Sequence, residues 1–170
     1  MEIITKYTNS WLWLQKYDEN SLKESGKIKE VHYKLEAKEA YESLKELKND
    51  LISKKEATEL FANPRSENVL EGIFGNIYQT FGGEELYPTL EEKASNLLYF
   101  IVKNHPFSDG NKRSGAFLFI LFLAKNKILF DENGERKIND RALVAITLLI
   151  AESNPKEKDL MVRLVLNLIS

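Results

Sequence analysis

The feature that most constrains the fold is a continuous apolar run, AFLFILFLA, at residues 116–124. A helix that is apolar on all sides has to be buried among other elements. The run is too short to cross a bilayer, which takes about 20 apolar residues, so a membrane is not an expected partner. The chain has no cysteines, which excludes disulfide bonds and suits a cytoplasmic location. The run therefore predicts a helix at the centre of a helical core.

The rest of the chain has mostly helical periodicity. The apolar spacing predicts helices over residues 30–50, 67–81, 90–104, 111–126, 140–153 and 156–169. Residues 53–56 and 89–92 both fit the capping box, in which a hydroxyl and a Glu three residues later satisfy free helix amides. The box at 53–56 predicts a further short helix that ends near Asn63 and Pro64. Residues 131–134, DENG, predict a turn between two short extended pieces.

The predicted organisation is one all-α domain over residues 53–170, preceded by a helical extension over residues 1–52. Within the extension, Trp11–Leu14 fit either a helix or a docking strand. His32 lies on the charged helix predicted at 30–50 and is expected on the surface. The net charge of −2 provides no global basic field for holding nucleic acid.

A polar loop, KNHPFSDGNKRSG at residues 103–115, separates two apolar helices. Gly110, Asn111 and Lys112 fall where the second of these helices begins. The free N–H groups and the dipole of a helix N-terminus attract anions, and Lys112 and Arg113 add positive charge. The loop therefore predicts an anion site, with phosphate as the natural ligand.

Two further residues of this loop suggest chemistry. The Asp109 carboxylate would repel phosphate unless a hard cation such as Mg²⁺ lay between them. His105 carries an imidazole, the usual general base at neutral pH. The structural alternative is that HPF ends one helix and that Asp109 only caps the next.

The nine residues HPFSDGNKR resemble the signature of the Fic/Doc (Fido) superfamily, H-x-F-x-(D/E)-G-N-(G/K)-R. The resemblance implies an all-α Fido helical bundle with a small β-hairpin flap. It also implies a transferase that moves AMP or phosphate from a nucleotide triphosphate, with ATP as co-substrate and Mg²⁺ as cofactor. The acceptor would be a Ser, Thr or Tyr hydroxyl of a target protein.

The resemblance assigns a role to each matching residue. His105 would be the catalytic base, Asp109 would hold Mg²⁺, and Phe107 would be a buried anchor. The nucleotide would be bound by Gly110, Asn111, Lys112 and Arg113. Asn111 would also orient phosphate through its side chain.

The stretch at residues 79–89 occupies the place of the family's flap, which pairs with a target segment by strand addition. The candidate target-binding residues there are Thr80, Phe81, Gly82, Gly83, Glu84, Glu85 and Leu86. A plain loop between helices is the alternative for this stretch.

Two departures from the family pattern leave the transferred group open. Lys112 stands where the best-known protein-AMPylating members have Gly. The four residues GNKR are those of Doc-type toxins, and Doc resembles a protein kinase that binds ATP the other way round. Ala116 stands where AMPylating members often have a second Arg. Gly110, in contrast, is shared with the AMPylating members. The chain is thus predicted to be either an AMPylator or a Doc-like phosphotransferase.

Regulation is the last point the sequence addresses. Family members are often inhibited by a helix with (S/T)-x-x-x-E-(G/N). Ser153 and Glu157 have that spacing, but Lys158 replaces the final residue and Pro155 interrupts the helix, so a helix break is expected. An antitoxin, as in toxin–antitoxin pairs, or another inhibitory partner is left open. The alternative function is an inactive Fido scaffold that binds protein or nucleic acid.

Overall fold

Six α-helices and one two-stranded hairpin make up residues 32–170, the part of the chain that the computed structural model describes. The elements are α1 (Ala37–Ser53), α2 (Val69–Ile77), β1 (Thr80–Phe81), β2 (Glu84–Glu85), α3 (Leu90–Asn104), α4 (Asn111–Lys125), α5 (Asp140–Glu152) and α6 (Lys158–Ile169). A 3₁₀ turn, Pro155–Glu157, leads into α6. Trp11–Leu14 lie outside the described residues. The predicted all-α fold with a small hairpin is confirmed.

Helix α4 occupies the centre of the core. All its residues from 114 to 124 are buried, as a helix that is apolar on every side requires. Helix α3 packs along α4 and also contacts α2, α5 and α6. The loop of interest, residues 105–110, joins α3 to α4, so both of its ends are anchored in the core.

The predicted helix ends are most accurate where a side chain caps the helix. Thr89 Oγ1 accepts a hydrogen bond from Glu92 N–H at 3.0 Å, and α3 spans the predicted residues 90–104. Helix α2 begins at Val69 and ends at Ile77, so it is shorter than the predicted 67–81. The described part of the helix predicted at 30–50 begins later, at Ala37.

The short helix predicted from the pattern at 53–56 is wrong. Ser53 is the last residue of α1, and its hydroxyl donates back to Asp50 C=O at 2.7 Å. Lys55 adopts a left-handed conformation, φ 60°. Its N–H donates to Ile52 C=O, and Glu56 N–H donates to Leu51 C=O. These two bonds form a Schellman motif, so the pattern marks the end of a helix and not a beginning.

Helix α1 shares the core of the other helices. Its inward side chains Leu44, Leu47 and Leu51 belong to the same buried cluster as α3 and α4. Tyr78, at the end of α2, donates to Leu35 C=O just before α1 at 2.8 Å, and burial raises the pKa of this phenol well above its usual value. The domain boundary at residue 53 stays a prediction.

The C-terminal third follows the predicted pattern with one difference. Residues 131–134 form a turn, but Phe130 and Arg136 pair only as an isolated bridge, without strands on either side. The expected helix break lies between α5 and α6, at Ser153 and Asn154. No helix among residues 32–170 is long and apolar enough to cross a membrane.

Candidate active site

The loop at residues 105–110 has left-handed backbone at both ends. His105 caps the C-terminus of α3 with φ 49° and ψ 58°, and Gly110 caps the N-terminus of α4 with φ 77°. His105 and Asp109 are both exposed. Left-handed conformations in residues other than Gly are uncommon and often mark functional positions. The geometry therefore presents the imidazole and the carboxylate to solvent from a sharply turned loop.

Glycine is required at position 110 by the close packing of a side chain as well as by the φ angle. A Cβ atom at this position would lie 2.4 Å and 2.5 Å from two ring carbons of Phe61. Phe61 is fully buried, so its ring has little room to move. The segment before α2 thus packs directly against the helix N-terminus.

The loop is stabilised from within by one side chain. Asn111 Oδ1 accepts from Phe107 N–H at 2.9 Å, and Asn111 Nδ2 donates to Phe107 C=O at 3.0 Å. Both polar atoms of Asn111 are therefore used in holding the loop backbone. Phe107 itself is fully buried, which confirms the expected anchor.

Residues 61–65, which we call the backing segment, run beside the loop and hold it from outside. Ser108 N–H donates to Asn63 C=O at 2.8 Å, and Ala62 N–H donates to Asp109 C=O at 3.0 Å. Arg65 donates twice, from its backbone N–H to Pro106 C=O and from Nε to Phe107 C=O, each at 2.9 Å. Sequence reasoning missed these contacts, because it placed residues 53–63 in a helix and had no local signal for pairing with a distant loop.

Arg113 lies in the first turn of α4 and is oriented by the same region. Its Nη1 donates to Glu56 C=O at 2.9 Å, and its guanidinium stacks on the Phe61 ring at 4.7 Å. Its Nη2 lies 3.9 Å from Asp109 Oδ2, a long and partly exposed contact that contributes little to stability. Arg113 is thus held over the helix N-terminus with a donor edge still facing Asp109.

The N-terminus of α4 has the electrostatics of an anion site. Its first turn contains no acidic residue, and its N-cap, Gly110, supplies no side chain to occupy the free amides. The first N–H groups of an α-helix have no partner within the helix, and here they belong to Asn111, Lys112 and Arg113. Lys112 is exposed and adds positive charge at the same end.

The residues present fit a magnesium ion with one protein ligand. Mg²⁺ is commonly bound by one or two carboxylates together with substrate phosphates. The Asp109 side chain is 51% exposed, next to the N-terminus of α4. No cluster of three or more acidic, His or Cys side chains occurs among residues 32–170, so a site built only from protein ligands is not formed there.

The stretch predicted as a flap forms a hairpin. Thr80 pairs with Glu85 and Phe81 with Glu84, and Gly82 and Gly83 both have positive φ, as a tight type I′ turn requires. Phe81 is 89% exposed. The buried Lys93 of α3 contacts Glu85 at 3.3 Å and donates to Tyr87 C=O, which fixes the base of the hairpin to the core.

The residues that resemble an inhibitory helix serve a structural purpose. Glu157 Oε1 accepts from Asn154 N–H at 3.0 Å, and Asn154 Oδ1 accepts from Lys156 N–H at 3.0 Å. These bonds form a capping box ahead of α6. The Glu157 carboxylate therefore accepts a capping hydrogen bond ahead of α6.

The fold and loop define a helical-bundle protein with an exposed histidine beside a helix N-terminus that has free amides. The sequence profile of the Fic/DOC family matches residues 19–123, more than half of the chain and the whole of the loop. The chain belongs to the Fic/DOC family, whose members generally transfer nucleotide-derived groups to proteins. No curated protein and no solved structure matches the chain.

Proposed function

We propose that this protein transfers AMP or phosphate from ATP to a hydroxyl group of a target protein. The observation that carries the proposal is the arrangement of residues 105–113. His105 and Asp109 are exposed on a loop with tethered peptide groups, and that loop ends directly on the free N-terminus of α4. A base and a carboxylate next to a phosphate cradle are the groups that such a transfer requires.

In the proposed reaction the target hydroxyl loses its proton to the His105 imidazole as its oxygen attacks phosphorus. A new O–P bond forms, and the P–O bond to the leaving group, pyrophosphate or ADP, breaks. The amides of Asn111, Lys112 and Arg113 face the negative charge on the phosphate oxygens, and the Arg113 guanidinium adds a charge-assisted donor. Asp109 would hold Mg²⁺, which when bound neutralises part of the phosphate charge.

The transferred group depends on which phosphorus lies near His105. Attack on the α-phosphorus releases pyrophosphate and leaves AMP on the target, whereas attack on the γ-phosphorus releases ADP. Lys112 is exposed in the first turn of α4, where its charge favours a phosphate of the nucleotide. Ala116 is 1% exposed and packed in the core, so this position offers no second cation for the triphosphate tail. These two features favour the Doc-like orientation of the nucleotide, and hence phosphate transfer.

The hairpin is the proposed docking site for the target. Residues 80–86 are all exposed, and a strand edge offers backbone groups to an extended segment of another protein. Phe81 would provide an apolar contact for that segment. The attachment of Lys93 to the hairpin base would hold the bound segment at a constant distance from His105.

The test is label transfer from ATP that carries ³²P at either the α or the γ position, with Mg²⁺ and a cell lysate as the source of targets. Label from the γ position alone indicates phosphate transfer, and label from the α position alone indicates AMP transfer. His105→Ala should abolish the labelled bands. His32→Ala is the matched control, because His32 is the other histidine of the chain and is exposed. Protein labelling that His105→Ala leaves unchanged, or no labelling by the wild type, contradicts the proposal and favours the scaffold alternative.

A further inference from the structure

Among residues 61–65 of the described structure, Arg65 is the one whose side chain donates a hydrogen bond to the loop at residues 105–110. Its Nε reaches the carbonyl of Phe107, midway between His105 and Asp109. We propose that Arg65 is a positioning residue, which holds the base and the carboxylate at the separation that group transfer needs. This inference rests on the proposed function, because it concerns the same site.

The first step of the argument is where the tethers lie. The carbonyl of Phe107 accepts from both Arg65 Nε at 2.9 Å and Asn111 Nδ2 at 3.0 Å. One of these donors comes from the helix that follows the loop, and the other comes from a segment about forty residues earlier in the chain. The carbonyl is therefore held from two sides. Loss of the Arg65 donor leaves it with Asn111 Nδ2 alone, and the other end of the peptide group is then held only by the Ser108 N–H bond to Asn63 C=O.

The second step is that Arg65 is itself firmly placed. Its backbone N–H donates to Pro106 C=O, and the preceding Pro64 pairs with Phe107 in an isolated antiparallel bridge. Lys48 of α1 donates to Asn63 Oδ1 at 2.7 Å, which anchors the backing segment to the core. The backbone of Arg65 is therefore fixed in place, and the hydrogen bond from its side chain restrains the loop.

The third step separates position from charge. A guanidinium near a phosphate site can act as an electrostatic contact, but the bond observed here uses Nε and a neutral carbonyl. Gln carries its amide nitrogen the same number of bonds from Cα as Arg carries Nε, so Arg65→Gln retains this donor and removes the charge. Arg65→Lys retains the charge and moves the donor one bond further out. The two variants thus distinguish the two roles.

The experiment measures single-turnover transfer and ATP affinity for the wild type and for Arg65→Ala, Arg65→Gln and Arg65→Lys. Displacement of a reacting group by about 1 Å can lower a rate about 100-fold, so Arg65→Ala should lower transfer by about 10- to 100-fold. Its Kd for ATP should change less than about threefold, because the anion-binding amides begin at Asn111. Arg65→Gln should restore most of the rate. Arg141→Ala is the control, since Arg141 is exposed at the start of α5.

Two outcomes of this comparison overturn the proposal. In the first, Arg65→Gln is as slow as Arg65→Ala, whereas Arg65→Lys is active. ATP affinity also falls in the two variants that lack the charge, which would mean that Arg65 contacts phosphate. In the second, all three variants transfer at the wild-type rate. If Arg65→Ala does not fold, the comparison of Gln with Lys still decides, because both keep the aliphatic stem.

Hydrogen exchange gives a readout that does not depend on activity. The Ser108 and Phe107 amides are both hydrogen-bonded in the loop, and they should exchange faster in Arg65→Ala than in the wild type or Arg65→Gln. Unchanged exchange in Arg65→Ala contradicts the positioning role. If the wild type transfers no label but the two amides still exchange faster in Arg65→Ala, the positioning contact is supported and the proposed function is contradicted.

Discussion

Substitution of Gly110 by Ala is the sharpest perturbation that the site offers. Gly110 has φ 77° and ψ 24°, and its missing side chain makes room for the ring of Phe61. The family signature that the loop resembles has Gly at this position, and Gly110→Ala adds a single methyl group there. In this chain the methyl group meets both a backbone and a packing penalty.

The magnitude follows from these two penalties. A left-handed conformation costs a residue with a Cβ roughly 1–2 kcal/mol. The added Cβ would lie 2.4 Å from a ring carbon of a fully buried Phe61, and such overpacking typically costs about 1–3 kcal/mol. Gly110→Ala should therefore lower the free energy of unfolding by about 2–5 kcal/mol. Transfer activity should fall as well, because Arg113 stacks on the ring that has to move.

The assay is urea denaturation followed by circular dichroism, with two comparisons. Gly75→Ala is the control, because a Cβ at this helical position meets nothing within 4 Å, and it should be neutral or stabilise the protein by about 0.5–1 kcal/mol. In a Phe61→Ala background, Gly110→Ala should cost only the roughly 1–2 kcal/mol of the backbone conformation. An equal cost in both backgrounds, or a cost below about 1 kcal/mol in the wild type, would refute the reasoning.

Three further predictions concern the site and the core. His105→Ala should lower single-turnover transfer by about 10²- to 10⁴-fold, the usual contribution of a general base. ATP affinity, measured by isothermal titration calorimetry, should not change. A large loss of affinity at normal turnover would make His105 a binding residue. Asp109→Ala should remove the Mg²⁺ dependence of nucleotide turnover without changing the urea midpoint, because its long, exposed contact with Arg113 stabilises little. Asp159→Ala, exposed on α6, is the control, and a lowered urea midpoint with intact Mg²⁺ dependence would assign the Asp109 carboxylate a structural role. Since burial raises the pKa of Tyr78, its contribution to stability is fully present below the unfolded-state value of about 10 and is lost as the pH rises above it; the fall in stability between pH 8 and pH 11 should be smaller in Tyr78→Phe, and an equal fall would exclude Tyr78 as a cause.

The sequence predicted the parts of the fold that local patterns determine. The buried α4 follows from apolar spacing, the start of α3 from the Thr89 cap, and the break before α6 from Pro155, all signals within a few residues. The pattern at 53–56 failed because a hydroxyl followed by a Glu describes side-chain types and not the backbone around them. There, Lys55 turns into the left-handed region and the two Schellman bonds close the helix.

The candidate site could be predicted only in part, for a related reason. The nine residues from His105 to Arg113 carry their own pattern, and the helices on either side indicate a helix N-terminus. The position of Arg113, in contrast, depends on Glu56 C=O and on the Phe61 ring. Those contacts join residues more than fifty positions apart, so no local periodicity encodes them.

The contacts with residues 61–65 also explain how a polar loop can lie between two buried helices. A loop beside the core has peptide groups that need hydrogen-bond partners. The Asn111 side chain, in the first turn of α4, provides partners only for the N–H and C=O of Phe107. The backing segment satisfies three of the remaining groups, the carbonyls of Pro106 and Asp109 and the amide of Ser108. It leaves the side chains of His105 and Asp109 exposed. Because the backbone is satisfied from one side, the functional groups remain free on the other, and the same nine residues without such a segment would not be expected to hold this geometry.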